Sequence, residues 1–208
     1  DVKRFNESTT STVTGFREVQ NSRVEQFNKK LGTIQIKHAD KIYEYTRFRQ
    51  ESYTDGNHSP DSVEFVSDIE TDALRRDTTI NAIYYDILEN KIVDPTAGIK
   101  DLNKCIIRTP NNPSITLGDD GLRILRLIRF ASTYHFSIEK KTLRSLIANV
   151  PKLKSISAER KLNEIKLCVV ADLKLSKPNI SFISLINKSK CLPYIFNHSL
   201  NNISKISK

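Results

Sequence analysis

Apolar and polar positions change their period along the chain, and the change divides it in two. Thr33 to Lys37 and Lys41 to Phe48 alternate as half-buried strands do, with His38-Ala39-Asp40 as a short polar turn between them. Val63 to Val66 reads as a further short strand. Asp68 to Tyr84 reads as helical, with acidic residues early and arginines later, the order a helix dipole favours. Ile83 to Leu88 and Ile92 to Val93 flank Glu89-Asn90-Lys91 as the arms of a hairpin. Cys105 to Arg108 reads as a last strand, after which Pro110 and Pro113 punctuate the chain. Beyond Asp119 the period becomes helical, over 119–135, 139–149, 157–171 and 180–190. Residues 1 to 30 are polar and weakly patterned. The pattern predicts an α+β head over residues 1–110, followed by an all-helical part over 111–208.

Composition narrows the class. The chain has 208 residues, 38% of them hydrophobic and 27% charged, which suits a packed globular protein. No apolar run approaches the roughly 20 residues that span a bilayer, and no charged-then-apolar leader opens the chain. The expected compartment is the cytoplasm, or an organelle if a targeting segment was removed. Cys105, Cys168 and Cys191 are odd in number and far apart, so they suggest neither a disulfide framework nor a zinc site. The formal net charge is +9. From Lys152 to Lys208 there are eleven Lys/Arg against three Asp/Glu, a net of +8, and ten of the eleven are Lys. A lysine-rich end with few aromatics is either a solvated surface or a surface for the phosphate backbone of a nucleic acid.

The segment Asp119 to Ala131 is the most informative. As a helix its apolar side chains point almost all round the axis, which implies burial. Yet it carries Arg123, Arg126 and Arg129, spaced by three. Buried charge needs partners. These are internal carboxylates, or stems lying along the surface, or an anionic or polar ligand. Asp120 and Arg123, three apart, would share a helical face. Asp only accepts and Arg only donates, so together they form a two-point edge. Cytosine and adenine each present an amino donor beside a ring-nitrogen acceptor and match it. Uracil and guanine meet it with like against like, at about 1–3 kcal/mol for each unpaired group. Arg126 continues the row, whereas Arg129 falls on the opposite side from Asp120.

A second constellation runs from Glu70 to Ala82. Arg75 and Arg76 carry planar forks suited to triphosphate oxygens. Asp77 could accept from ribose hydroxyls, and Asn81, four residues on, would share its face; the alternative is a surface ladder of ion pairs. Asp94 to Leu102 reads as a tight turn leading to a short strand, its carboxylates structural. Glu159, Arg160 and Glu164 read as support, holding the arginine-bearing helix by ion pairs.

These residues resemble the class II tRNA nucleotidyltransferases, or CCA-adding enzymes, and the closely related bacterial poly(A) polymerases. Leu74-Arg75-Arg76-Asp77-Thr78-Thr79-Ile80-Asn81-Ala82 is similar to the family's RRD-FTINA motif, with Thr78 in place of Phe. Asp94 to Leu102 is similar to its D-x-x-x-G-x-x-D-L turn. Asp119-Asp120-Gly121-Leu122-Arg123 is similar to its E-D-x-x-R motif, with Asp119 replacing Glu. Ile42 to Arg49 resembles the strand before RRD. Glu159-Arg160 and Glu164 resemble E-R-x-x-x-E-x-x-K, with the Lys one position early at Lys166. The resemblance covers about residues 32 to 167, in order.

The resemblance implies a polymerase-β-like nucleotidyltransferase head followed by helical neck and body parts. It implies that Asp120 and Arg123 serve as an amino-acid template for CTP and ATP, with Arg76 and Asp77 at the phosphate and sugar. The implied activity is Mg2+-dependent, template-independent addition of C and A to the tRNA 3′ end. Poly(A) synthesis, addition of CC or A alone, and a non-catalytic RNA-binding relative are the alternatives. The family also carries a Gly-Gly loop and an Asp-x-Asp pair that holds two Mg2+. No Gly-Gly occurs in this sequence. Asp1 stands as the candidate remnant of that pair, both catalytic and metal-binding, and Glu44 as a candidate third carboxylate.

Overall fold

The computed structural model describes residues 22–53, 60–174 and 182–195, with the side chains of 22–26 and 172–174 outside the description. The described residues form two compact units. Residues 22–50 and 63–67 make one; 51–53, 60–62 and everything described from 68 onward make the other.

The first unit is built on an antiparallel sheet of β1 (Ser22–Asn28), β2 (Thr33–His38) and β3 (Lys41–Thr46), in that order. The alternation read from β2 is real: Ile34 and Ile36 are buried, and their neighbours are not. Ala39 takes a positive φ of 50° in the turn, which lets His38 pair with Lys41. β1 falls within the stretch whose pattern gave no signal, and a bulge shifts its register between Val24 and Gln26. β4 (Arg49–Ser52) and β5 (Ser62–Phe65) form a two-stranded ribbon.

In the second unit the elements are α1 (Ile69–Leu74), a 3-10 turn Thr79–Asn81, the hairpin β6 (Tyr84–Asp86) and β7 (Lys91–Val93), and α2 (Gly98–Asn103). β8 (Ile106–Ile107), α3 (Pro113–Asp119), α4 (Leu122–Tyr134) and β9 (Ser137–Ile138) follow. The last elements are α5 (Lys140–Asn149), the 3-10 segment Val150–Ser155, α6 (Ala158–Lys174), α7 (Phe182–Lys188) and α8 (Leu192–Ile195).

Three of the expected elements take another form, and β4 and β9, the latter within the stretch expected to be all-helical, were not expected. The helix expected over Asp68 to Tyr84 stops at Leu74. Beyond it lie Thr78 and Thr79, β-branched and poor at continuing a helix, and the Thr79 N–H bonds the Arg108 carbonyl (2.9 Å) instead of the preceding turn. The strand expected near Leu102 is helix α2. Asp94 starts it by accepting from the Gly98 and Ile99 N–H groups at 2.7 and 2.9 Å. The helix expected from Asp119 begins at Leu122, because Asp120 is extended (φ −139°, ψ 109°) and separates α3 from α4.

The core of this unit is α4, as its all-round apolarity requires. Ile124, Leu125, Leu127, Ile128 and Ala131 are fully buried. Its chief neighbour is α6, with α7, β8 and the Val150–Ser155 segment around it. Each buried Leu or Ile contributes about 1.5–3 kcal/mol, which fixes α4 as the platform for what it carries. The helix ends at His135 in the left-handed region, where the Phe136 N–H returns to the Ala131 carbonyl.

Candidate functional site

Asp72, on the last turn of α1, organises the arginine pair. It is 1% exposed. Its Oδ1 accepts from Arg75 Nη2 (2.6 Å) and Nε (2.9 Å). Its Oδ2 accepts from Arg76 Nη2 (2.9 Å) and Nε (3.1 Å) and from the Tyr84 hydroxyl (2.9 Å). Burial works to raise its pKa, but the Arg75 and Arg76 guanidiniums outweigh that and hold the carboxyl below the usual range. The Tyr84 hydroxyl is pushed up to about 12 by burial and by Asp72. Arg76 lies over the Tyr84 ring (4.9 Å) and donates through Nη1 to the Asn81 carbonyl (3.0 Å). Arg75 reaches Glu51 through Nη1 at 3.4 Å.

Asp77 joins this motif to the arginine helix. Its Oδ2 accepts from Arg126 Nε (2.7 Å) and Nη2 (2.6 Å). Its Oδ1 accepts from Asn81 Nδ2 (3.2 Å), so the two residues meet as the spacing suggested, although through a 3-10 turn instead of a continuous helix. The charges then run on: Arg126 Nη1 lies 3.9 Å from Glu164, and Arg129 Nε donates to Glu164 at 2.7 Å. Arg126 and Arg129 also lie over the Phe130 ring, at 5.5 and 4.2 Å. Burial works against the charge of Arg126, but Asp77 chiefly, then Glu164, keeps its pKa raised. Two helical arginines therefore meet internal carboxylates.

Asp120 and Arg123 are joined by a turn and do not share a helical face. Asp120 Oδ1 accepts from the Leu122 N–H (2.9 Å), and its carbonyl accepts from the Arg123 N–H (3.1 Å). Arg123 is 8% exposed. Its Nη1 donates to the Thr116 carbonyl (3.0 Å), its Nη2 lies 3.9 Å from Glu51, and its guanidinium sits 5.8 Å from the Tyr53 ring centre. Burial raises the pKa of Asp119, assisted by the nearby carboxylates Glu51 and Asp120, against the opposing pull of Arg123 and Lys152.

The remaining candidates divide between structure and surface. Asp94 starts α2, and Asp101 accepts from the Thr79 hydroxyl (2.8 Å) and Arg108 Nε (2.9 Å), so both carboxylates of that turn brace the chain. Between them, Gly98 backs onto Thr79: an added Cβ would lie 2.2 Å from the Thr79 carbonyl. Glu164 holds α4. Glu159 stands exposed on the first turn of α6, and the Arg160 N–H bonds the Ser157 hydroxyl at 3.4 Å. Glu44 is exposed on β3 opposite Gln35, and Asp1 lies outside the described residues.

No group of three or more His, Cys, Asp or Glu side chains that could hold a metal ion occurs among the described residues. One exposed glutamate does not match the donor set of a two-metal site, so these residues do not fit the Mg2+ pair that the resemblance implies. No helix among them is long and apolar enough to cross a membrane. Sequence reasoning passed over Asp72 and Glu51. The spacing of Asp72 from Arg75 and Arg76, three and four residues, was a visible signal; Glu51, on β4, offered none.

A family model, that of the poly A polymerase head domain, matches residues 4–108, about half of the chain. The CCA-adding enzyme of Lactobacillus helveticus is 40% identical over 129 residues, 62% of this chain and 32% of the relative. A crystal structure of the Bacillus stearothermophilus CCA-adding enzyme in complex with CTP is 32% identical with a TM-score of 0.61, covering 70% of this chain and 35% of that one. A tRNA nucleotidyltransferase complexed with a primer tRNA and an incoming ATP analog is 25% identical with a TM-score of 0.68, covering 90% and 51%. The fold is α+β with a polymerase-β-like nucleotidyltransferase head. The chain belongs to the poly A polymerase head domain family. It spans about a third of the length of the curated relatives it matches.

Proposed function

We propose that this chain carries the nucleotide-selecting part of a tRNA nucleotidyltransferase that adds C and A to the tRNA 3′ end. The observation that carries the reading is the Asp77–Arg126 pair at 2.6 Å, which ties the phosphate-and-sugar motif to the helix that follows Asp120 and carries Arg123. Glu51 makes a second tie, between Arg75 and Arg123. The sugar candidate Asp77 thus meets the arginine helix across 49 residues of sequence, which supports reading the two stretches as one site.

In this reading Arg75 and Arg76 serve triphosphate oxygens through their Nη1 groups, which otherwise meet Glu51 and the Asn81 carbonyl. Asp77 accepts from a sugar hydroxyl while Arg126 neutralises it, and Asn81 keeps its carboxylate oriented. Asp120 accepts from the base amino group, and Arg123 donates to the adjacent ring nitrogen. CTP and ATP satisfy both, and UTP and GTP neither. The 3′ hydroxyl of tRNA attacks the α-phosphate of the bound nucleotide, and the new phosphodiester bond forms as the bond to pyrophosphate breaks. The Lys-rich region from Lys152 onward suits the tRNA backbone, and the expected compartment is the cytoplasm. The relatives support this reading: one is a CCA-adding enzyme with CTP, another a tRNA nucleotidyltransferase with primer tRNA.

The test is incubation with tRNA lacking its 3′ end and each nucleoside triphosphate singly. Incorporation of C and A, with U and G at least about tenfold slower, is expected, since one mismatched polar pair is worth about that factor. Long A tracts with little use of CTP would indicate a poly(A) polymerase. Salt-sensitive tRNA binding without turnover would indicate a non-catalytic relative.

A further inference from the structure

The turn that carries Asp120 is clamped by one residue far along the chain. Lys152, in the Val150–Ser155 segment, donates through Nζ to the Gly118 carbonyl at 2.7 Å. Its backbone lies against the other end of the turn: a Cβ on Gly121 would come within 3.0 Å of the Lys152 carbonyl oxygen. Gly118 to Gly121 is thereby gripped at both ends, by an ammonium at one and by backbone packing at the other. Gly118 lies in the last turn of α3, where carbonyls have no partner within the helix and a cation is favoured. Arg123 bonds a second carbonyl of the same helix, that of Thr116. The positions of Asp120 and of the Arg123 guanidinium are thus both set by the C-terminal turn of α3, and Lys152 is the side chain that holds that turn from outside.

We propose that Lys152 is a positioning residue for nucleotide selection, and that its ammonium, through the Gly118 carbonyl, fixes the separation of Asp120 and Arg123. This rests on the reading of that pair as the base-selecting edge. Lys152 touches no part of the nucleotide in this account. Its loss relaxes discrimination and leaves the arginine contacts to the triphosphate in place.

The experiment is equilibrium binding of CTP, ATP, UTP and GTP to the full chain, with Lys152→Met and Lys152→Arg beside it, each variant checked for an unchanged circular-dichroism spectrum. The wild-type chain binds CTP and ATP more tightly than UTP and GTP. Lys152→Met is expected to bring that ratio down about tenfold, the worth of one charge-assisted hydrogen bond, while inorganic triphosphate binds as before. Lys152→Arg, which can still reach the carbonyl, restores most of it. Equal selectivity in the wild type and Lys152→Met overturns the role of Lys152 and leaves the selecting edge intact. Absence of selectivity in the wild type overturns the edge itself. Gly121→Ala serves as a second variant, since it disturbs the other end of the clamp and removes no charge. It too should lower the ratio, and unchanged selectivity there would count against the clamp.

Discussion

Single side chains carry three of the tests. Asp72 has a folded-state pKa below its unfolded value, so its contribution to stability is present above the ordinary carboxylate range, about 3.9. It is lost as pH falls through that value and below. Thermal unfolding of the wild type should therefore weaken over that acid window, and Asp72→Asn should flatten the dependence there; parallel curves would contradict the role of the arginine pair. Gly98→Ala places a Cβ 2.2 Å from a backbone oxygen, and urea denaturation should show a loss of about 1–3 kcal/mol or more. Cys191 is buried, with its thiol pushed up to about 12, and Cys168 is buried as well, whereas Cys105 is exposed. A thiol reagent should modify Cys105 first in the native protein, and the other two only on unfolding.

Elements show where the sequence was legible and where it was not. β2 could be read because Ile34 and Ile36 are buried and their neighbours are not, so alternation survives into sequence, whereas β3 alternates in sequence although Ile42 and Tyr43 are exposed. The arginine helix could be read as buried for a different reason: opposite Ile124, Leu125, Leu127 and Ile128, the arginines are interleaved with the apolar Leu122 and Phe130. Its first turn could not, because Asp120 adopts an extended backbone and caps the Leu122 N–H, and a cap looks like a helical residue until the backbone is seen. The same holds for α1: Thr79 bonds Arg108, 29 residues away, and no local pattern announces such a partner. Glu164 was legible as a support for the arginines, and Lys152 was not. Glu164→Gln should destabilise the second unit by about 1–3 kcal/mol in urea denaturation, because Arg129 would lose its charged partner in a largely buried setting. A neutral result would mean that the α4–α6 contact rests on apolar packing alone.

For the molecule as a whole, the candidate site is a set of internally neutralised charges. Asp72 with Arg75 and Arg76, Asp77 with Arg126, and Glu164 with Arg129 keep the guanidiniums oriented before any ligand arrives. Pre-ordering of this kind lowers the entropy cost of binding. The net charge of +9 is concentrated toward the C-terminus, so tRNA binding should weaken steeply as salt rises, the affinity falling by orders of magnitude if several phosphates are contacted. A salt-independent affinity would remove the basic region from the interface. The most direct test is a crystal of this chain with CTP. The account predicts the cytosine amino group on the Asp120 carboxylate and the adjacent ring nitrogen on the Arg123 guanidinium. A base bound elsewhere, with Arg123 still held only by Thr116 and Glu51, would contradict it.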